Sequence, residues 1–151
     1  MEMLIKHSWH YSQKPELVWE FLTTSELIAQ WLMANDFKPI VGHKFMFRAS
    51  AHKPLDFDGN IYCEVLELIP NAKLSYSWKY GPGNGVLKVD SVVSWTLYAK
   101  DGGTEVQLEH KGLKEPANLM DYQAMNAGWQ TNVLKMQNLI SAKQNDEKAK
   151  H

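Results

Sequence analysis

The chain opens on an alternation of period two. Ile5, His7, Trp9 and Tyr11 share one face and Lys6, Ser8, His10 and Ser12 the other, the pattern of a half-buried strand. Lys14-Pro15-Glu16 then begins a helix, because proline suits a first turn and an acidic side chain its positive end. Val18, Trp19, Phe21 and Leu22 give this helix an apolar side. Thr24 or Ser25 can cap a second short helix through Leu27, Ile28, Trp31 and Leu32. From Lys38 the period returns to two. A strand is expected over His43–Ala49, with Phe45 and Phe47 opposite Met46 and Arg48, and a longer one from about Phe57 to Ile69, bent at Gly59. After a turn at Pro70-Asn71, Leu74, Tyr76, Trp78 and Tyr80 alternate with Ser75, Ser77 and Lys79. Gly81–Gly85 reads as a flexible loop. Val93, Trp95 and Leu97 form the next inward row, Asp101-Gly102-Gly103 a tight hairpin, and Val106, Leu108 and His110 the returning row. Gly112–Pro116 ends the sheet. Met125, Trp129, Val133, Met136 and Ile140 then recur on one helical face, giving a long helix to about Ala142.

No internal repeat or linker interrupts this order, so one domain is expected over residues 1–143, followed by a disordered tail over 144–151 with little to bury. Length agrees: 151 residues with 44% hydrophobic and 22% charged residues suit one globular domain. A net charge of −1 gives no electrostatic reason to expect nucleic acid or an anionic membrane as partner. No apolar run approaches the roughly 18 residues of a membrane span, and the N-terminal stretch lacks the apolar core of a signal peptide. The single cysteine, Cys63, can form neither an internal disulfide nor a metal-ligand pair, which points to the reducing cytoplasm. Six Trp and six Tyr are more polar-tipped rings than a core of this size needs, so where they point decides the reading.

Four segments carry a resemblance over nearly the whole chain: PELVWEFLTTSELIAQWL from Pro15, GNIYCEVLELIPNAKLSYSW from Gly59, GGTEVQLEHKGL from Gly102, and GWQTNVLKM from Gly128. Together they resemble the activator-of-heat-shock-ATPase homologue-like branch of the START-like (SRPBCC) superfamily. The resemblance implies an α+β helix-grip fold: a curved antiparallel sheet of about seven strands wrapped around a long C-terminal helix, with two short helices after the first strand. It also implies an internal cavity between sheet and helix. Members of this superfamily bind hydrophobic small molecules, act as cyclases or lipid carriers or, in a eukaryotic branch, stimulate a chaperone ATPase, so the fold alone does not choose among these.

The aromatic rows supply the candidate binding residues: Trp9, Tyr76, Trp78 and Trp95 from strands, with Met125, Trp129 and Met136 from the helix. If they line free space, the expected cavity falls in the usual range of roughly 300–1,000 Å³ and takes a small hydrophobic or aromatic molecule. If they fill the space, they are core. His110 and His7 face inward and can serve as polar anchor or general base, or as satisfied strand histidines. A catalytic reading needs one of them beside Tyr76. Arg48, Asp58, Glu64 and Asp90 are strand-surface charges that can reach a cavity mouth, and Gly81–Gly85 and Leu113–Tyr122 are the candidate gates. No metal site is expected: the six histidines show no ligand spacing, and Asp56, Asp58 and Asn60 lack the glycine and glutamate of a calcium loop. No nucleotide or serine-hydrolase motif occurs, and no cofactor is expected. The leading expectation is a cytoplasmic binding protein for a small hydrophobic molecule. The second is a module acting on a chaperone ATPase. The third is a cyclase- or hydrolase-type enzyme.

Overall fold

The computed structural model describes residues 1–149. Its elements are β1 (Glu2–Tyr11), α1 (Pro15–Thr23), α2 (Ser25–Trp31), β2 (Ala34–Asn35), β3 (Lys44–Arg48), β4 (Asn60–Ile69), β5 (Lys73–Tyr80), β6 (Val89–Lys100), β7 (Gly103–Lys114) and α3 (Leu119–Ala149), with one 3-10 turn at Lys53–Leu55. The strands form one antiparallel sheet in the order β1-β7-β6-β5-β4-β3-β2. It curves around α3, as a helix-grip fold requires. Chain neighbours pair as hairpins except β1, which crosses the helices and joins β7, with Tyr11 opposite Thr104.

The inward rows read from the sequence are the buried ones. Phe45 and Phe47, then Leu74, Tyr76, Trp78 and Tyr80, then Val93, Trp95 and Leu97, then Val106, Leu108 and His110 all lie in the interior. Against them α3 buries Trp129, Val133, Met136 and Ile140. Tyr11 donates its hydroxyl proton to the Val133 carbonyl at 2.8 Å, and His7 Nε2 lies 2.6 Å from Asn126 Oδ1. These bonds fix the register of the helix on the first strand.

Two glycines in the last hairpin have separate jobs. Asp101 and Gly102 both sit at positive φ, 51° and 77°, the geometry of a two-residue turn whose twist matches the flanking strands. Gly103 allows a close approach: a Cβ there would stand 2.1 Å from the Tyr11 carbonyl, so the end of β1 could not pair.

Three expectations are corrected. The long helix continues to Ala149 instead of stopping near Ala142, so residues 144–149 are helical and not a disordered tail; Lys150 and His151 lie outside the described residues. The segment contains no Gly or Pro to stop it, and its first turn is tied down. Lys143 pairs with Glu20 at 2.5 Å, and Gln13 Nε2 donates to Gln144 Oε1 at 3.2 Å. Thr24 is the N-cap of α2 by backbone but makes no capping bond with its side chain. Ser25 Oγ does not cap either. It lies 3.0 Å from the Asn35 carbonyl and 2.9 Å from its Oδ1, which folds the segment after α2 back onto that helix. That return forms β2, a two-residue strand too short to show any period.

Candidate functional site

Rings occupy most of the space between sheet and helix. Trp95 packs edge-on against both Trp31 (5.8 Å, 90°) and Trp129 (5.5 Å, 85°), and Trp78 tilts against Trp129 at 5.1 Å. Phe45, Phe47 and Tyr76 continue the stack towards β3 at 5.4–6.0 Å. Edge-to-face pairs of this kind add about 0.5–1.5 kcal/mol each beyond their buried area. This half of the interior is a filled core.

At the other end the packing stops short and leaves an apolar cavity of about 120 Å³. Its floor is Ile61, Trp78, Tyr80 and Trp129, all buried. Its rim is half-buried: Leu32 and Met33 after α2, Leu55 and Phe57 around the 3-10 turn. Met125, Gly128 and Asn132 complete the wall from α3. With Trp129 they stand at helical spacing of three, one and three residues, a stripe beside the one that faces the sheet. The volume is well below the 300–1,000 Å³ range expected from the sequence, because the indoles pack on one another and use up the space. It approaches that of an engineered cavity of about 150 Å³ known to hold benzene.

Gly128 keeps the wall open. A Cβ at this position would meet nothing within 4 Å, so no neighbour requires glycine there. Glycine in a helix interior costs about 1 kcal/mol relative to alanine.

Two polar networks brace the floor. In the first, Trp129 Nε1 donates to His110 Nδ1 at 3.0 Å, which assigns the ring proton to Nε2. His110 Nε2 then donates to Ser91 Oγ at 2.8 Å, and Ser91 donates to the Trp78 carbonyl at 2.7 Å. Burial holds the imidazole neutral, pushing its pKa from 6.5 down to about 4. The unfolded chain therefore takes up a proton near pH 6.5 that the folded chain refuses until about pH 4. Stability should fall as pH drops through this window, by about 3 kcal/mol at its foot. Urea titrations from pH 7 to 4 check this, and His110→Gln should flatten the slope.

In the second network Asp121, fully buried in the first turn of α3, accepts the Tyr80 hydroxyl proton. Its Oδ2 lies 3.3 Å from Lys88 Nζ and 3.4 Å from Asn118 Nδ2. Lys88 also donates to the Leu55 carbonyl at 3.2 Å, so one cation ties the rim turn, the end of β5 and the start of α3. Burial first, and then the bond to Asp121, raises the Tyr80 pKa far above its ordinary 10, keeping the phenol protonated.

Residues 12–141 match the model of the family described as Activator of Hsp90 ATPase homolog 1-like protein. The chain belongs to that family. Protein MLL2253 of Mesorhizobium loti is 34% identical and superposes with a TM-score of 0.82 over 93% of this chain and 98% of its own. BH1534 of Bacillus halodurans is 26% identical, with a TM-score of 0.71 over 91% and 96%. The Aha1 dimer of Colwellia psychrerythraea, 22% identical with a TM-score of 0.72 over 91% and 96%, shares the fold. No functionally curated protein matches the sequence.

Within this Hsp90-ATPase-activator-like domain, the structure separates the eight residues expected to bind ligand. Trp78, Met125 and Trp129 line the cavity. Tyr76, Trp95, His110 and Met136 are buried behind them, in the filled part of the core, and Trp9 is half-buried on β1 beside His7, 5.7 Å between ring centroids. No His–Tyr pair assembles: His110 has both ring nitrogens engaged, His7 faces Asn126, and the Tyr76 hydroxyl accepts from Trp95 Nε1 at 3.1 Å. Burial also pushes the Tyr76 phenol far above its ordinary pKa.

The strand-surface charges stay outside. Arg48 lies 4.0 Å from Asp36, Asp90 lies 3.6 Å from Lys79, and Asp58 Oδ1 accepts from the Asn60 amide. Glu64 lies opposite Lys44 in the sheet register, and its backbone amide donates to Ser77 Oγ. Neither candidate gate lines the cavity; the turn carrying Leu55 and Phe57 forms its edge and is held by Lys88. Leu32, Met33, Leu55, Phe57, Ile61, Tyr80, Gly128 and Asn132 are the lining residues that the sequence does not single out. One signal for them was available: a lone glycine in a helical run, three residues from Met125 and beside Trp129.

Proposed function

We propose that this domain binds a small, uncharged hydrophobic molecule in the cavity between the sheet and α3, in the reducing cytoplasm where Cys63 stays a thiol. One observation carries the reading: the cavity is apolar, has a buried floor and a half-buried rim, and is bordered by a helix glycine that no packing contact requires. A protein selected for stability alone gains from closing such a space, since a void forfeits dispersion contacts and a helix glycine costs stability. The volume favours a ligand with a single ring, smaller than a lipid or a polycyclic compound. Modulation of a chaperone ATPase, suggested by the family's description, leaves both the cavity and Gly128 without a role.

The test is calorimetric and thermal-shift titration with benzene, substituted single-ring compounds, a fatty acid and a tricyclic phenol. Single-ring compounds should raise the melting temperature in a concentration-dependent way, while the larger two do not. No stabilisation by any single-ring compound would overturn the proposal. Among the described residues, no helix is long and apolar enough to cross a membrane.

A further inference from the structure

A ring cannot reach the cavity floor while the rim keeps its present shape. Ile61, Trp78 and Trp129 are each 2% exposed and Tyr80 1%, so the rim seals them from water. A ligand seated there has to displace part of the rim on its way in and out. Three segments form that rim, and two are fixed. The wall from α3 is held by its intrahelical bonds and by the buried Val133, Met136 and Ile140 on the same helix. Leu32 and Met33 are tied down through Asn35, whose Nδ2 donates to the Ser25 carbonyl at 3.1 Å and to the Met33 carbonyl at 3.0 Å.

The third segment, residues 52–57, is closed on itself. His52 N donates to the Phe57 carbonyl at 2.8 Å and Phe57 N to the His52 carbonyl at 3.2 Å, while Leu55 N and Asp56 N bond inside the turn. Its base is pinned where Ala49 N donates to the Gly59 carbonyl at 2.8 Å and Asp58 N to the Gly81 carbonyl at 2.9 Å, so the turn can lift as one unit. Among the described residues, one hydrogen bond joins it to the body of the domain: Lys88 Nζ donates to the Leu55 carbonyl at 3.2 Å. Asp56 Oδ2 lies 4.0 Å from the same ammonium, and the Phe57 ring rests on Tyr80 at 5.0 Å. The ammonium itself is anchored from beneath, 3.3 Å from Oδ2 of the fully buried Asp121. With three donors it can hold that carboxylate and still offer a proton to the turn.

We infer that the 52–57 turn is the gate of this cavity and that the Lys88 ammonium is its latch, setting how fast a ligand enters and leaves. This deepens the proposed binding function and rests on it. Lys88 is outside the cavity lining, so losing its bond eases opening equally with the cavity empty or filled. Both rates then change by one factor and the affinity stays. Removing a hydrogen bond to a charged donor shifts the opening equilibrium by about ten- to a hundredfold.

The experiment follows exchange of fluorobenzene between free and bound states by ¹⁹F NMR, on the full chain, in the wild type and in Lys88→Met. Should that variant not fold with Asp121 left unpaired, the double variant Lys88→Met/Asp121→Asn removes both charges and keeps an acceptor for Tyr80. Association and dissociation should both quicken by about ten- to a hundredfold, with the dissociation constant little changed. Ser25→Ala, which loosens the opposite side of the rim, should leave both rates at wild-type values. Unchanged rates without Lys88, faster exchange in Ser25→Ala alone, or a rise in dissociation only would overturn the gate while the pocket stands. If fluorobenzene does not bind the wild type, the gate and the binding function fall together.

Discussion

Asp121→Ala should lower the unfolding free energy by about 2–3 kcal/mol, below the roughly 3–5 kcal/mol of a fully buried pair because the Lys88 left behind is partly exposed and keeps Asp56 at 4.0 Å. Asp121 is fully buried, and three groups converge on it: the Tyr80 hydroxyl, the Lys88 ammonium and the Asn118 carboxamide. Alanine leaves the half-buried Lys88 ammonium with only the Asp56 carboxylate, 4.0 Å away, and the Tyr80 hydroxyl without an acceptor. It also removes an acidic group from the first turn of α3, where the helix dipole favours negative charge. Asp121→Asn retains an acceptor for Tyr80 and loses only the charge, so its loss should be smaller. Urea unfolding at pH 7 checks both, with an unchanged m-value marking a true stability effect. A change under 1 kcal/mol for alanine would mean that the network contributes nothing net. Because Lys88 also holds the Leu55 carbonyl, the alanine variant should loosen the cavity rim as well, visible as faster amide exchange at residues 53–57.

Gly128→Leu should do the opposite for stability and end binding. With nothing within 4 Å of a Cβ at this position, the side chain enters free space, and replacing a helix glycine should add about 1 kcal/mol. A leucine side chain at the cavity wall then occupies room that a single-ring ligand needs. The expected result is a higher melting temperature without ligand and no further rise when benzonitrile is added, whereas the wild type responds. Gly128→Ala should gain the helix term and weaken binding only partly. A Gly128→Leu protein that binds as tightly as the wild type would place the ligand elsewhere.

Much of the fold could be read from period alone. Six strands and three helices follow from alternation and helical recurrence, since each has one buried face, and the inward rows came out with the right residues. What escaped has physical reasons. β2 has two residues and no period. The end of α3 is set by tertiary ties from Glu20 and Gln13, far away in sequence, and by the absence of a helix breaker.

The site was less legible than the fold. Alternation says that Tyr76, Trp78 and Trp95 point inward, but not that Trp95 and Trp129 would meet edge to face and fill the centre. It therefore exaggerated the cavity and spread its lining over too many strands. The rim comes from the segments around Met33 and Leu55, which have no regular pattern, and it is positioned by the Ser25–Asn35 and Lys88–Leu55 contacts. His110 illustrates the same limit. Its inward direction was visible, while the Trp129 and Ser91 bonds that make it a neutral brace depend on two distant elements.

The most direct measurement is a crystal equilibrated with bromobenzene, with data collected at the bromine edge. An anomalous peak among Ile61, Trp78, Met125 and Trp129 is expected, absent from Gly128→Leu crystals treated alike. Bromine found only outside that cavity, or equally in both proteins, would contradict the assignment of the space beneath α3 as a ligand site.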